Sequence, residues 1–112
     1  MKNGIGFFPF DVCLDDKFRL IEAEYGLTGF AVVVKLLQKI YGDEGYYCRW
    51  DDDTALMFSA QVGLKESVVS EIVSVSIKRG MFDHTIYSRY GVLTSAGIQK
   101  RYLDAVSRRK IV

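Results

Sequence analysis

One segment constrains the fold more than any other part of this chain: Gly29 to Tyr41, which reads GFAVVVKLLQKIY. Its apolar residues follow the three-four spacing of a helix face, and Val32 and Leu36 widen that face beyond a single stripe. A helix that is apolar over so much of its circumference must be covered by other elements on several sides. We therefore predict a central helix here, with Thr28 as its N-cap.

A shorter helix precedes the central one, and a strand follows it. Asp15 or Asp16 caps the first helix, which ends near Tyr25 because Gly26 comes next. After a glycine-bounded turn, the unbroken aromatic segment Tyr46–Trp50 predicts a short strand.

Two further helices follow, joined by a short turn. The first contains Ala55–Val62 and begins after three aspartates, a favourable place for negative charge. The chain turns at Gly63, and the second helix runs from about Glu66 to Arg79. A helix pair joined at a glycine, where the chain bends sharply, is typical of a helix-turn-helix.

The last third of the chain predicts a hairpin and a final helix. Residues 81–93 alternate and turn, with a tip at Tyr87–Gly91, and Thr94 or Ser95 caps the helix behind them. We expect the strand at Tyr46–Trp50 to pair with this hairpin. The predicted fold is mainly α with a small antiparallel sheet (α+β): a winged helix-turn-helix with an extra N-terminal helix and a C-terminal helix, in one domain of residues 1–112.

Charge is distributed unevenly along the chain. The formal net charge is only +1, but residues 1–75 hold seven Lys/Arg and twelve Asp/Glu, whereas residues 76–112 hold eight and two. A basic last third favours an anionic partner for that part. Alternatively, these cations are solvated and suit the C-terminal end of a helix dipole.

Compartment and cofactor classes follow from what the sequence lacks. Cys13 and Cys48 are the only cysteines and belong to no ligand motif, and no signal peptide precedes them, so we expect a reducing cytoplasm rather than a disulfide. The apolar runs are too short for a membrane span. Because no phosphate-binding glycine loop or nucleophile elbow occurs, we expect neither a cofactor nor enzyme activity.

The second helix of the helix-turn-helix offers the first candidate contacts. Ser67, Ser70 and Ser74 would donate to phosphates or base edges if their helix entered a major groove, with Lys65 and Lys78 supplying charge. Glu71 lies on the same face and opposes DNA. A solvated helix face is the alternative interpretation.

Further candidate contacts come from the wing and the last helix. Arg89, beside Tyr90, would enter a minor groove or lie along phosphates, unless it serves only solubility at a hairpin tip. The cations of the last helix would follow a phosphate backbone, or else face solvent in a helical linker; they are Lys100, Arg101, Arg108, Arg109 and Lys110.

Other polar and aromatic groups have simpler explanations. Asp51–Asp53 contain carboxylates that suit Mg²⁺, but helix capping explains them without a metal. His84, the single histidine, cannot form a multi-histidine site and is expected to be exposed. The aromatic residues of Tyr46–Trp50 would stack on single-stranded bases, although strand residues of this kind are more often core.

Several separated motifs resemble an N-terminal domain family found in phage and prophage replication proteins. They are GFFPFDV (6–12), EYGLTGF (24–30), GDEGYY (42–47) and LTSAGIQKRYLDAVSRRK (93–110). That family is similar to phage replisome organisers and to the DnaD replication-initiation proteins, and much of it has no known function. The match covers nearly the whole chain, and none of its motifs is catalytic.

The resemblance implies a winged-helix domain at the front of a longer protein that initiates or loads replication on phage or mobile-element DNA. The implied partners are double-stranded or single-stranded DNA, and replication proteins such as a helicase or its loader. Pairing into a homodimer is also implied, and the apolar entry Phe7, Phe8 and Phe10 agrees with it. The alternative is a protein-interaction or oligomerisation domain that has this shape without binding DNA.

Overall fold

The computed structural model of the chain describes residues 4–10 and 15–110. These residues form five helices and two short strands: α1 (Asp16–Gly42), β1 (Cys48–Arg49), α2 (Asp52–Val62), α3 (Glu66–Lys78), α4 (His84–Tyr90), β2 (Val92–Leu93) and α5 (Ala96–Lys110). The prediction of a mainly α fold with a small antiparallel sheet is confirmed.

Helix α1 consists of the two predicted helical segments, joined at a kink. Asp15 caps its start by accepting the Phe18 N–H at 3.0 Å. At Gly26 the backbone leaves helical geometry with φ of 67°, a conformation that costs little only for glycine. The second segment is the predicted central helix: Val33, Leu36 and Ile40 are completely buried.

Helices α2 and α3 form the predicted bihelical corner, and α3 packs on both α2 and α1. Gly63 ends α2 in the left-handed region with φ of 72°, and its N–H closes the last turn by donating to Ala60. The buried Ser59 and Ser76 donate to carbonyls of their own helices, at 2.6 and 2.7 Å, so both hydroxyls are satisfied inside the core.

The predicted wing hairpin is wrong. Residues 81–93, all within the described part of the chain, form α4 and then β2. Asp83 caps α4 by accepting the Ile86 N–H at 2.9 Å, and Gly91 ends it with φ of 65°. These local signals stabilise a helical turn where alternation had indicated a strand. The described sheet therefore has two strands, with Cys48 opposite Leu93 and Arg49 opposite Val92.

Helix α5 leaves the sheet directly, as predicted, and Ser95 rather than Thr94 caps it. The Ser95 hydroxyl accepts the Ile98 N–H at 3.1 Å. The Thr94 hydroxyl instead donates to the carbonyl of Tyr46, which holds the start of α5 against the entry to β1. Ile98 is buried. Of the helices that the structure describes, none combines the length and apolar character needed to cross a lipid bilayer.

The left-handed residue at the helix-turn-helix corner gives a stability test with a matched control. A Cβ added at Gly63 or at Gly42 meets nothing within 4 Å, but only Gly63 has positive φ. Gly63→Ala should therefore lower the free energy of unfolding by about 1 kcal/mol, whereas Gly42→Ala should raise it by about 0.5 kcal/mol. Urea denaturation of both variants measures the difference. Equal effects would contradict the assigned role of Gly63.

Candidate nucleic-acid interface

The α3 surface is the set Lys65, Ser67, Ser70, Ser74 and Lys78, which sequence analysis assigned to DNA contact. Ser67, Ser70, Ser74 and Lys78 share the outer side of α3, opposite the buried stripe that contains Val69, Ile72 and Val73, and Lys65 is the N-cap residue of the same helix. All are exposed except Ser70, which is half-buried. The surface therefore offers hydroxyls and two ammonium groups to a partner.

Two contacts connect the outer side of α3 to the first half of α1. The Arg79 guanidinium donates to the Glu24 carboxylate at 3.1 Å. Burial of the Tyr25 phenol, together with the adjacent Glu71 carboxylate, raises the pKa of Tyr25 to about 12. Glu71 and Arg79 are thus engaged within the protein, which leaves the serines and lysines of the α3 surface to a partner.

Arg89 and Tyr90 lie in the last turn of α4 instead of at a wing tip. Both side chains are exposed, and Tyr90 retains 69% of its accessible area. The position of Arg89 near a helix C-terminus satisfies the helix dipole without any partner. These residues therefore cannot enter a minor groove as the tip of a hairpin. Their exposed side chains can still contact a phosphate.

The structure separates the cations that the sequence had grouped on α5. Lys100 and Arg108 are exposed, as predicted. Arg101 was predicted to project outward, but it is half-buried and its Nη1 lies 3.4 Å from the position that a Cβ on Gly97 would take. Arg109 and Lys110 end α5, and their side chains lie outside the described part of the structure.

The remaining candidates behave as structural groups. Asp51 caps α2 by accepting the Thr54 N–H at 2.8 Å, and this bond lowers the pKa of its carboxyl. Within residues 4–10 and 15–110, no group of three or more His, Cys, Asp or Glu side chains could hold a metal ion. His84 is exposed as expected, but at the start of α4 rather than in a hairpin.

Residues of the aromatic segment Tyr46–Trp50 differ in burial. Trp50 is 6% exposed and packs edge-on against Phe58, as expected of a core residue, while Tyr46 is exposed and its ring lies 5.3 Å from that of Tyr102. Burial raises the pKa of the Cys48 thiol to about 12, so this group stays protonated and unreactive. Cys13 lies outside the described residues.

Sequence reasoning identified Phe7 as a residue for pairing, and this side chain keeps 79% of its accessible area. It missed other outward apolar side chains: Leu27 keeps 78% of its accessible area, and Leu56 and Met57 are exposed on α2. The one available signal was position: Leu27 follows the kink glycine, so the periodicity of neither segment of α1 assigns it to the core. Large exposed apolar groups of this kind are typical of surfaces that contact another protein.

Comparison with known proteins identifies a family and a curated relative. A sequence model of the family described as "Lin1244/Lin1753-like, N-terminal" matches residues 7–98. The chain is 40% identical, over 112 aligned residues, to an "Uncharacterized phage-related protein Lin1244/Lin1753" from Listeria innocua serovar 6a. The alignment covers 98% of this chain and 36% of the relative, so the chain spans about a third of that protein's length. No solved structure shows a significant match.

The Asp51 cap gives a test that separates a helix-capping role from metal binding. Asp51→Ala should lower the midpoint of thermal unfolding, whereas Asp51→Asn should keep most of the stability because asparagine is also a good N-cap. Since the folded state lowers the pKa of Asp51, its contribution is present above the ordinary carboxyl pKa of about 4 and is lost as the pH falls through the lowered folded value. Circular dichroism melts from about pH 6 to about pH 2 should show the difference between wild type and Asp51→Ala shrinking.

The control for this test is Asp52→Ala, which removes an exposed carboxylate from the first turn of the same helix without removing the cap. Its effect should be smaller than that of Asp51→Ala. A rise in the melting midpoint with Mg²⁺ that is present in wild type and absent in Asp51→Ala would contradict the capping assignment and favour a metal.

Proposed function

The chain belongs to the Lin1244/Lin1753-like N-terminal family, and from this premise we propose that it is a DNA-binding helix-turn-helix domain of a phage-type or mobile-element replication protein. The proposed role is binding, without catalysis and in the cytoplasm. Its partners are DNA and the replication proteins that assemble there, such as a helicase or its loader.

The observation that carries this proposal is the bihelical corner of α2 and α3. The buried stripe of α3 packs on α1 and α2, so its outer side is left for a partner, and that side carries hydroxyls and lysines. Hydroxyls and ammonium groups at this position of a helix-turn-helix suit phosphate oxygens and base edges. The phage setting rests on the phage-related relative, and the replication setting rests on the resemblance of the sequence motifs.

The contacts that we propose are mostly with phosphates. Serine is a weak reader of base identity, and the α3 surface contains no Arg, Asn or Gln that would bond a base edge with two hydrogen bonds. Arg89, Tyr90, Lys100 and Arg108 are exposed and would add sequence-independent affinity. Such binding depends on counterion release and weakens steeply as salt is added.

A salt-dependent binding experiment tests the proposal. We expect the domain to bind a fluorescently labelled random duplex at low salt and to lose affinity at moderate salt, as measured by anisotropy. The double variant Lys65→Ala/Lys78→Ala should weaken binding and lower the slope of log affinity against log salt by about one for each phosphate that the variant no longer neutralises. Lys35→Ala, which removes an exposed lysine of α1 outside the α3 surface, should change neither quantity.

Two outcomes would count against this function in different ways. No salt-sensitive binding by the unmodified domain would reject DNA binding itself. Binding that the double variant and Lys35→Ala weaken equally would keep DNA binding but reject the α3 surface as its site, since only general charge would then matter.

Self-association is a second candidate function, favoured by the outward apolar side chains near the N-terminus. Phe7 and Leu27 are almost fully exposed, and Leu20 keeps 47% of its accessible area. A single copy of the domain leaves much of each of these three side chains exposed, and full burial of a leucine on association removes apolar area worth about 1.5–3 kcal/mol from water. We propose that a second copy of the chain covers them in a homodimer.

The dimer is tested by variants that do not affect the core. Leu27→Glu should abolish concentration-dependent dimerisation without lowering the melting temperature, because the side chain is exposed. Leu103→Glu, at an exposed leucine of α5, is the matched control and should leave the dimer intact. Sedimentation velocity over a range of concentrations measures both. A monomeric wild type at high concentration would rule out this second function.

A further inference from the structure

A cavity of about 330 Å³ lies outside the α3 surface, between the N-terminal segment, α1, the turn before α4 and the start of α5. Its lining combines aromatic rings with two cations. Phe8 and Tyr41 form one wall, Lys17 and Arg101 reach it from α1 and α5, and Ala96 and Gly97 contribute the first turn of α5. Small-molecule sites usually have volumes of about 300–1,000 Å³. This cavity is near the lower end of that range and therefore suits a small ligand.

Tyr41 supplies a polar group that the protein itself leaves unused. Only 2% of this residue is exposed, its ring stacks on Phe8 with centroids 4.6 Å apart, and its hydroxyl has no hydrogen-bond partner within residues 4–10 and 15–110. A buried hydroxyl without a partner is costly, so its presence in the wall of a cavity points to a group that is missing from the unliganded protein. Burial raises the pKa of Tyr41, and the nearby Arg101 guanidinium opposes that rise without forming a hydrogen bond of normal geometry. The hydroxyl is therefore a neutral donor.

The first turn of α5 supplies further donors. The Ser95 side chain accepts the Ile98 N–H, and the Ser95 carbonyl accepts the Gln99 N–H at 3.0 Å. The N–H groups of Ala96 and Gly97 lie in the first turn of α5, where the helix itself provides no carbonyl to accept them. Both residues line the cavity. The space that a side chain on Gly97 would fill is taken by the Arg101 guanidinium, whose Nη1 lies 3.4 Å from the position of an added Cβ. This cation therefore lies beside the first turn of α5, and a helix N-terminus of this kind itself favours negative charge.

The charges around the cavity also favour an anion. Asp15 and Asp83 line it, but each carboxylate accepts the N–H that begins its own helix, from Phe18 and Ile86 respectively. Lys17 lies across Gly80, with its Nζ 3.9 Å from the position of an added Cβ. Among the described residues, neither Lys17 nor Arg101 forms an ion pair. In the described part of the chain, two cations thus face the cavity, while both acids that line it are engaged as caps.

We propose that this cavity binds a small phosphate monoester, with the phosphate at the first turn of α5. The N–H groups of Ala96 and Gly97 and the Tyr41 hydroxyl donate to its oxygens, Arg101 and Lys17 balance its charge, and the apolar part of the ligand lies against Phe8. The cavity is separate from the α3 surface, so this site does not require that the domain bind DNA.

Titration of the full chain followed by ¹H–¹⁵N correlation spectra tests the site. Inorganic phosphate and adenosine monophosphate should each shift the amide signals of Ala96 and Gly97, and adenosine without phosphate should not. Arg101→Gln should weaken phosphate binding by about tenfold or more, as expected for loss of a charge-assisted hydrogen bond. Arg108→Gln makes the same charge change on an exposed part of the same helix and should have less than about a twofold effect.

Tyr41→Phe provides a second, independent readout because it keeps the ring and removes only the unpartnered hydroxyl. In phosphate-free buffer its melting temperature should equal or exceed that of wild type, and the rise in melting temperature caused by phosphate should become smaller. A lower melting temperature without phosphate would show that the hydroxyl has a structural role and would overturn its assignment to a ligand.

Other results would overturn the site as a whole. Absence of any shift at Ala96 and Gly97 with either phosphate compound would do so, as would equal weakening by Arg101→Gln and Arg108→Gln. If a DNA duplex shifts these two amides and the phosphate compounds do not, the small-molecule ligand is rejected in favour of a backbone phosphate. A failure of duplex binding alone concerns only the proposed DNA function.

Discussion

Burial of the second half of α1 is the constraint on which the rest of the structure depends. Val32, Leu36, Leu37 and Tyr41 are at most 7% exposed, although at 3.6 residues per turn their positions span about half of the helix circumference. Full burial of each such side chain contributes about 1.5–3 kcal/mol, so the fold must bring elements to several faces of α1 at once. The N-terminal segment does so through the Ile5 N–H, which donates to the Tyr41 carbonyl at 2.8 Å, and α3 packs along another part of the helix.

This central packing also determines which surfaces are free for function. Because α3 uses one side against α1 and α2, a single outer side remains, and Glu71 and Arg79 on or beside it are drawn into contacts with α1. What is left is a mildly basic, hydroxyl-rich surface, which suits a phosphate backbone better than the edges of particular bases. The residues proposed for self-association, Phe7, Leu20 and Leu27, belong to the N-terminal segment and α1, whereas the residues proposed for DNA contact belong mainly to α3 and its N-cap.

The replacement of a wing by α4 shows how local and distant contacts act together. Phe82 is completely buried, and the Asp83 N–H donates to the Thr94 carbonyl at 2.8 Å, which places the start of α4 beside the end of β2. The Asp83 cap and Gly91 then bound a helix of two turns, and β2 is left to pair with β1 alone. Alternation of apolar residues predicts a strand only if a partner strand is present. Here His84–Tyr90, which would have formed the first strand of the hairpin, form α4 instead.

Local signals in the sequence were sufficient to place the caps at Asp15 or Asp16 and within Asp51–Asp53, the breaks at Gly26 and Gly63, and the buried stripes of α1 and α3. Each depends on residues a few positions apart, and such short-range hydrogen bonds and periodicities are visible in a single sequence. Tertiary structure alone decided that Arg101 lies beside Tyr41, that Ser95 caps α5 while Thr94 donates to Tyr46, and that Leu27 stays exposed. The reason is distance along the chain: Thr94 and Tyr46 are 48 residues apart, and no local pattern specifies which of many polar groups will meet once the core has formed.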